Sequence, residues 1–213
     1  MYKKLFLTFA VSFIFLGCSR KNNDVNTEFN KPADYWYNKM ISYIKRDDLD
    51  KADDAYTSLE SEHVGSPLVK EALMILQKAH RADREYVMSK FYIDRYTKRF
   101  ANPNNIEYLR FLRIKTNFLT FTRANRDQKL LQDTIKDALK YKERFPRSPY
   151  NPYVDTMLTK LYLAELMLNK EIASLYRRTG KLKAAKIYEE KINKSWLKNT
   201  KIKENKSFLE QIF

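Results

Sequence analysis

From residue 34 onward, apolar residues recur every three or four positions, the spacing that buries one face of an α-helix. Short clusters of proline, glycine, asparagine or aspartate interrupt this pattern and mark turns. Asp34 stands at the start of the first helix, where an aspartate is suited to be the N-cap. The mature chain is therefore predicted to be all-α. The pattern predicts eight helices, over residues 34–46, 49–62, 68–81, 85–100, 106–122, 129–145, 153–179 and 182–194.

The predicted helices form pairs that repeat along the chain. A spacing of roughly 36 to 43 residues separates the closing prolines, at positions 67, 103 and 146–149, and this spacing is typical of a helical-hairpin repeat. In the first pair, the large, aromatic, small and large positions of the tetratricopeptide pattern hold Trp36, Tyr43, Ala52 and Tyr56. The small residue is needed where the two helices pack most closely. We predict about four tetratricopeptide-like hairpins over residues 34–196, stacked into a right-handed superhelix with a concave binding surface.

The amino-terminal segment has the pattern of an exported protein. A positive start and an apolar run over residues 5–16 end at Gly17 and Cys18. This run is far shorter than the roughly 20 residues that a helix needs to cross a bilayer. Residues 1–17 are therefore predicted to be a cleaved signal peptide. The polar stretch 18–33 lacks periodicity and is predicted to be a flexible tether.

The junction Phe15-Leu16-Gly17-Cys18 resembles the lipobox of bacterial lipoproteins. The resemblance implies that the Cys18 thiol takes up a diacylglycerol, that the signal is cut before this residue, and that the new amine is acylated. The chain departs from the usual pattern at Phe15, where most lipoboxes have leucine. The alternative is an ordinary secretory signal with an unrelated cysteine nearby. Ser19 follows the cysteine where an aspartate would favour the inner membrane, so the resemblance implies sorting to the outer membrane.

The amino-acid composition limits the classes of function that the chain can have. The chain has only three glycines, which excludes glycine-rich phosphate loops and argues against a β-rich fold. The net charge of +15 falls to +13 when the two signal-peptide lysines are removed. The basic residues alternate with 26 acidic ones over every helix, so nucleic acid is not a predicted partner. His63 and His80 fall in different hairpins, and no nucleophile motif is present. We predict no enzyme activity, metal site or cofactor.

Three segments resemble the BamD family of outer-membrane assembly lipoproteins. Residues 102–113 match the start of the family's third repeat, a Pro-Asn-Ile-Asp-Tyr-like stretch followed by an aromatic–aliphatic–Arg run. Residues 126–128 (Arg-Asp-Gln) match an Arg-Asp-Pro element, and residues 144–150 match a turn of the form aromatic-Pro-x-Ser-x-Tyr. The chain departs from the family at Ile114, where glycine is common. Residues 197–213 are predicted to be a polar carboxyl-terminal tail in place of the family's fifth repeat.

The resemblance implies a non-enzymatic scaffold on the periplasmic face of the outer membrane, held there by its lipid anchor. Family members bind the periplasmic domains of the insertase BamA and the unfolded β-barrel precursors that BamA inserts. The resemblance also allows other Bam lipoproteins as partners. A second reading stays open, in which another tetratricopeptide lipoprotein scaffolds pilus or cell-wall assembly.

Candidate binding residues follow from this resemblance and from residue chemistry. The resemblance implies that BamA contacts the carboxyl half, and the candidate polar contacts are Arg126, Arg144 and Arg177. The amino half is expected to bind precursors, which commonly end in an aromatic residue with a free carboxylate, so a suitable pocket combines apolar walls with a cation. We expect Trp36 and Tyr43 to be core residues. The candidates for the precursor surface are Tyr37, Arg84, Tyr92, Arg95, Tyr96 and Lys98.

Overall fold

The computed structural model describes residues 28–123 and 127–199, except the side chains of residues 122 and 123. The chain divides into two compact units, Met1–Pro32 and Ala33–Phe213. The predicted signal peptide, Cys18, most of the predicted tether, Arg126 and the tail from residue 200 lie outside the described residues.

The described part of the second unit is all-α, which confirms the predicted fold class. The predicted helix bounds differ from the observed ones by no more than two residues at either end. Within the described ranges no helix is long and apolar enough to cross a membrane. The helices are α1 (Ala33–Ile44), α2 (Leu49–Glu62), α3 (Pro67–Ala82), α4 (Tyr86–Phe100), α5 (Ile106–Arg123), α6 (Gln128–Arg144), α7 (Asn151–Arg178) and α8 (Leu182–Lys194).

Side chains cap several helices where the sequence provides an acceptor. The Asp48 carboxylate accepts a hydrogen bond from the Lys51 N–H at the start of α2, and Asp127 does the same for α6. Ser66 caps α3, whose first residue is Pro67. The predicted cap at Asp34 is wrong by two positions, because the N-cap position of α1 is residue 32. Helix α1 begins at Ala33, so Asp34 lies inside the first turn.

Three hairpins share one turn geometry. Asp47, Arg84 and Gly180 each lie two residues before the second helix of their pair, and each has a left-handed backbone. In each turn, the backbone N–H of the following residue donates a hydrogen bond to the carbonyl five positions before it, as Glu85 does to His80 at 2.8 Å. This is the Schellman arrangement of a helix end. Glycine adopts this conformation without steric cost, whereas Asp47 and Arg84 do not.

Most of the buried apolar residues in the described part of the helical unit belong to two clusters. The first belongs mainly to α1–α4 and contains Trp36, Ala52 and Tyr56, all fully buried as the tetratricopeptide register requires, whereas Tyr43, also expected in the core, is only partly buried at its edge. The second is formed by α5, α6 and α7. Helix α5 contributes to both, since Leu109 packs in the first cluster and Phe111 in the second. Helix α8 contributes a single fully buried residue, Ala185.

The closing turn after α6 is fixed by side chains of the family-like segment. The Ser148 hydroxyl lies 2.6 Å from the Tyr141 hydroxyl, and both residues are buried. The Tyr150 ring stacks on Phe111 with 4.5 Å between ring centroids. Serine and tyrosine in this turn therefore attach α5 and α6 to the start of α7, which is a structural role.

Candidate partner-binding surfaces

A buried histidine joins α2, α3 and α4. His80 is 1% exposed, and its Nε2 lies 2.9 Å from Asp53 Oδ1 while its Nδ1 lies 2.6 Å from Glu85 Oε2. Only the protonated imidazolium can donate to both carboxylates. Burial alone would lower the pKa of His80, but the hydrogen bonds to Asp53 and Glu85, with their charges, raise the pKa above its usual value. The Tyr92 ring stacks on the imidazole at 5.4 Å.

This network explains why two predicted surface tyrosines are not at the surface. Tyr92 is 2% exposed because its ring lies between His80 and Tyr56, and Tyr96 packs against Phe100 in the same cluster. The prediction that Tyr92 and Tyr96 present their rings to a partner is therefore wrong. Burial, followed by a hydrogen bond to Asp53, raises the pKa of Tyr92 well above its usual value.

Tyr37 is only partly buried and packs at the edge of the first cluster. Burial first, and then a hydrogen bond to Glu71 and its charge, raise the pKa of Tyr37 to about 12. The Tyr37 hydroxyl is therefore a stable donor whose present partner belongs to the chain itself.

The remaining predicted precursor residues lie along one face of α4. Arg84 precedes the helix, and Arg95 and Lys98 follow on it, with exposed Val87 and Phe91 between them. The spacing of three or four positions puts Val87, Phe91, Arg95 and Lys98 on the same side of the helix, and Arg84 adds a cation from the turn before it. We call this set the α4 stripe.

The α4 stripe combines apolar and cationic groups. Phe91 is 43% exposed, and the Arg95 guanidinium lies 5.2 Å from the centre of its ring. Arg95 also forms an ion pair with Glu60, and Arg99 donates to the other oxygen of that carboxylate at 2.6 Å. Arg95 is thus already occupied by an acid of the chain, and a partner carboxylate would have to compete with Glu60. Lys98 is exposed to solvent.

A cleft of about 390 Å³ opens beside the first residues of the stripe. Arg84 lies at this cleft together with the acids of the histidine network. Its full lining is Asp50, Asp53, His80, Arg84, Glu85, Tyr86, Val87, Met88 and Thr120.

The predicted BamA contacts in the carboxyl half lie in different surroundings. Arg144 is exposed, with its guanidinium 5.8 Å from the centre of the Phe145 ring. Burial lowers the pKa of Arg110, and the positive charge of Arg144 lowers it further, so the two cations act on each other electrostatically. Arg177 is exposed and forms an ion pair with Glu189. Arg126 lies outside the described residues.

A second cleft, of about 300 Å³, lies between α6 and α7. Its apolar part is formed by Ile135 and Leu139, and Leu139 is 46% exposed. Glu165 of α7 also lies there, and burial raises the pKa of its carboxyl although the charge of Lys191 opposes this. The α6–α7 cleft therefore offers an apolar contact beside a partly desolvated acid. The polar residues at this cleft are Gln132, Lys136, Lys140, Glu143 and Glu165.

Several of these residues were missed at the sequence level. Leu139 interrupts the polar face of α6 between Lys136 and Lys140, which is a readable signal. Phe91 is one of the aromatic residues of the first two repeats, but its position on the exposed side of α4 depends on how that helix packs. Arg110 stands in the family-like segment, but its electrostatic interaction with Arg144 depends on tertiary packing. Across residues 28–123 and 127–199, no group of three or more His, Cys, Asp or Glu side chains is arranged to hold a metal ion.

Comparison with known proteins gives two matches. The family model described as "YfiO: Outer membrane lipoprotein" matches residues 30–206. The chain is also 39% identical over 199 residues to the outer membrane protein assembly factor BamD of Helicobacter pylori (strain ATCC 700392 / 26695). That alignment covers 93% of this chain and 90% of the relative.

Proposed function

The chain belongs to the YfiO family of outer membrane lipoproteins, the family of BamD, and from this premise we propose that it is a non-enzymatic scaffold for assembling β-barrel proteins into the outer membrane. The observation that carries the proposal is the match to an assembly factor over nearly the full length of both chains. The helical-hairpin fold supports it, because stacked hairpins offer extended surfaces for polypeptide partners.

The scaffold is attached to the periplasmic face of the outer membrane through lipid on Cys18. The charged start, the short apolar run and the Gly17-Cys18 junction support this attachment. Mass spectrometry of the membrane-extracted protein should find an acylated amino-terminal Cys18. A product that begins at Met1, or one that carries a free thiol at this residue, would contradict lipidation.

BamA binds the carboxyl half, at the α6–α7 cleft and at the cations Arg110 and Arg144. An apolar side chain of the partner would contact Leu139, and partner carboxylates would reach the arginines. Arg177 is a weaker candidate because Glu189 already occupies it. Arg126 remains a candidate by resemblance alone.

Unfolded precursors bind the amino half at the α4 stripe. Phe91 provides the aromatic contact that was predicted for Tyr92 and Tyr96. Lys98 and Arg95 attract the terminal carboxylate of the precursor. Arg84 extends the stripe beside the acidic cleft, and Tyr37 stays a more distant candidate. A charge-assisted hydrogen bond contributes about 1.5–3 kcal/mol, which corresponds to roughly a tenfold or larger change in affinity.

Two matched variants test both sites together. Phe91 and Leu139 are exposed to similar extents, 43% and 46%, so their change to serine should leave the fold intact. Phe91→Ser should weaken binding of a carboxyl-terminal barrel peptide and leave BamA binding unchanged. Leu139→Ser should do the opposite. If both variants weaken both partners equally, the division into an amino-terminal precursor site and a carboxyl-terminal BamA site is wrong.

The Glu60–Arg95 pair allows a sharper test of carboxylate capture. Glu60→Gln releases Arg95, so it should tighten binding of the free-acid peptide, whereas Arg95→Ala should weaken it. The peptide amide should respond to neither change. Equal affinity of acid and amide would rule out carboxylate capture.

The overall role is tested in cells by depletion. Loss of the protein should reduce the amount of barrel proteins in the outer membrane, and BamA should co-purify as a main partner. Normal barrel levels, together with co-purification of pilus or peptidoglycan components, would instead favour a scaffold for those assemblies.

A further inference from the structure

The fourth hairpin has a surface that combines positive charge with exposed apolar side chains. Residues 175–198 contain eight lysines and arginines but only two acids, Glu189 and Glu190. Its exposed large apolar residues are Leu175, Leu182, Ile187 and Trp196, and the last is 68% exposed. We call residues 175–198 the basic hairpin surface.

Helix α8 directs most of this surface outward. Ala185 is its only fully buried residue, and Lys183, Ile187 and Lys194 lie on the opposite side of the helix. Among the described residues of this surface, only Arg177 has an ion pair, with Glu189. Lys181 and Lys191 lie over the rings of Tyr176 and Tyr188, and the exposed Lys183, Lys186 and Lys194 present their charge to solvent.

The chemistry of the surface fits one kind of partner best. Lysines that extend around single apolar residues, with a tryptophan nearby, are typical of protein surfaces that rest in the headgroup region of a bilayer. Each exposed apolar residue stands within two positions of a lysine or arginine, so these residues suit shallow insertion beside anionic headgroups. We propose that the basic hairpin surface binds an anionic phospholipid bilayer, independently of the lipid on Cys18.

Tryptophan fluorescence can report contact between this surface and a bilayer. Trp36 is fully buried and Trp196 is largely exposed, and these are the only two tryptophans. Protein from residue 19 onward contains the whole helical unit Ala33–Phe213 and lacks the lipidated cysteine. With vesicles of phosphatidylcholine plus phosphatidylglycerol, its tryptophan emission should shift to the blue and the protein should sediment with the vesicles. Trp196→Phe should abolish the shift.

Charge variants test whether vesicle binding depends on the basic hairpin surface or on the positive charge of the whole chain. Each basic residue near an anionic bilayer raises partitioning roughly fivefold, so removing three charges should lower it on the order of a hundredfold. The test variant carries Lys183→Gln, Lys186→Gln and Lys194→Gln. The control removes the same charge from the first two hairpins, through Lys45→Gln, Lys70→Gln and Lys78→Gln, all exposed. The control should bind vesicles almost as well as the unchanged protein.

Three outcomes would overturn the proposal. The first is equal binding to vesicles of phosphatidylcholine alone, which would show no preference for anionic lipid. The second is an equal loss of binding in the test and control variants. The third is binding of an acidic polypeptide such as polyglutamate with no emission shift on vesicles, which would make the surface a protein-binding one. Circular dichroism checks that each variant is folded.

Discussion

The buried histidine makes the stability of the helical unit depend on pH in a defined direction. The pKa of His80 is raised in the folded protein, while in the unfolded chain it returns to about 6.5. The folded state therefore binds the proton more tightly. The stabilisation is fully present below about pH 6.5 and is lost as the pH rises through the folded-state pKa. The groups that act on the ring are Asp53 from α2 and Glu85 before α4, with Asp50 and Arg84 also at the adjoining cleft.

The size of the effect follows from the exposure of the two carboxylates. A charge-assisted hydrogen bond contributes about 1.5–3 kcal/mol, and the bond to Asp53 should be near this range because that side chain is 22% exposed. The Glu85 side chain is 44% exposed, so solvent screening reduces its bond to about 0–1 kcal/mol. We expect His80→Gln to lower the free energy of unfolding by about 1.5–4 kcal/mol at pH 6.

The assay is urea denaturation of both proteins between pH 5.5 and pH 9 by circular dichroism, with about half-unit steps. The difference between the unchanged protein and His80→Gln should be largest at low pH and should shrink as the pH rises. His63→Gln, which removes the only other histidine, is the control and should leave that pH dependence in place. A difference that stays constant or grows with pH would refute a protonated His80.

Three further changes test the packing by the same denaturation assay. Ala52→Leu overfills the closest helix crossing and should lower the free energy of unfolding by about 1–3 kcal/mol, whereas Lys70→Ala, at an exposed position, should change it little. Equal effects of the two changes would show that the repeat register is wrong. Ser148→Ala leaves its buried tyrosine partner without a hydrogen bond and should cost about 1–3 kcal/mol, and no loss would contradict its role in the closing turn. Gly180→Ala should lower the free energy of unfolding by about 1–2 kcal/mol because the φ of Gly180 is +73°. Gly65→Ala is the control, since a Cβ has open space at both glycines, and it should not lower stability. Equal stability of the two variants would contradict strain in the left-handed turn.

The fold could be predicted because the spacing of apolar residues within each helix indicates which face is buried. Trp36 and Met40 stand four positions apart on α1, and Ala52, Ala55 and Tyr56 repeat the same period on α2, so each buried face could be read directly from the sequence. Turn chemistry supplied the helix ends. The sequence did not reveal the division of the interior into two clusters, because that depends on how α5 packs against helices distant in the chain.

The candidate site was less predictable for a related reason. Periodicity indicates that α4 has a buried face, but the phase of that face depends on its neighbours. Tyr92 is buried because His80 and Tyr56 provide a place for its ring, and neither partner is adjacent in sequence. The partner of Arg95 is 35 residues away, so its occupied state could not be read from the sequence either.

The contribution of α5 to both clusters determines how the two proposed binding sites can be separated experimentally. A fragment that ends near residue 102 would lack Leu109, which is 2% exposed and belongs to the first cluster. Its removal would open the apolar interior of the amino half, and exposed apolar surface binds unrelated polypeptides. Retention of BamA or of a precursor by such a fragment would then report a damaged core as readily as a native site. Point changes at Phe91 and Leu139 remove a surface contact without opening either cluster, so they are the variants on which the assignment of partners should rest.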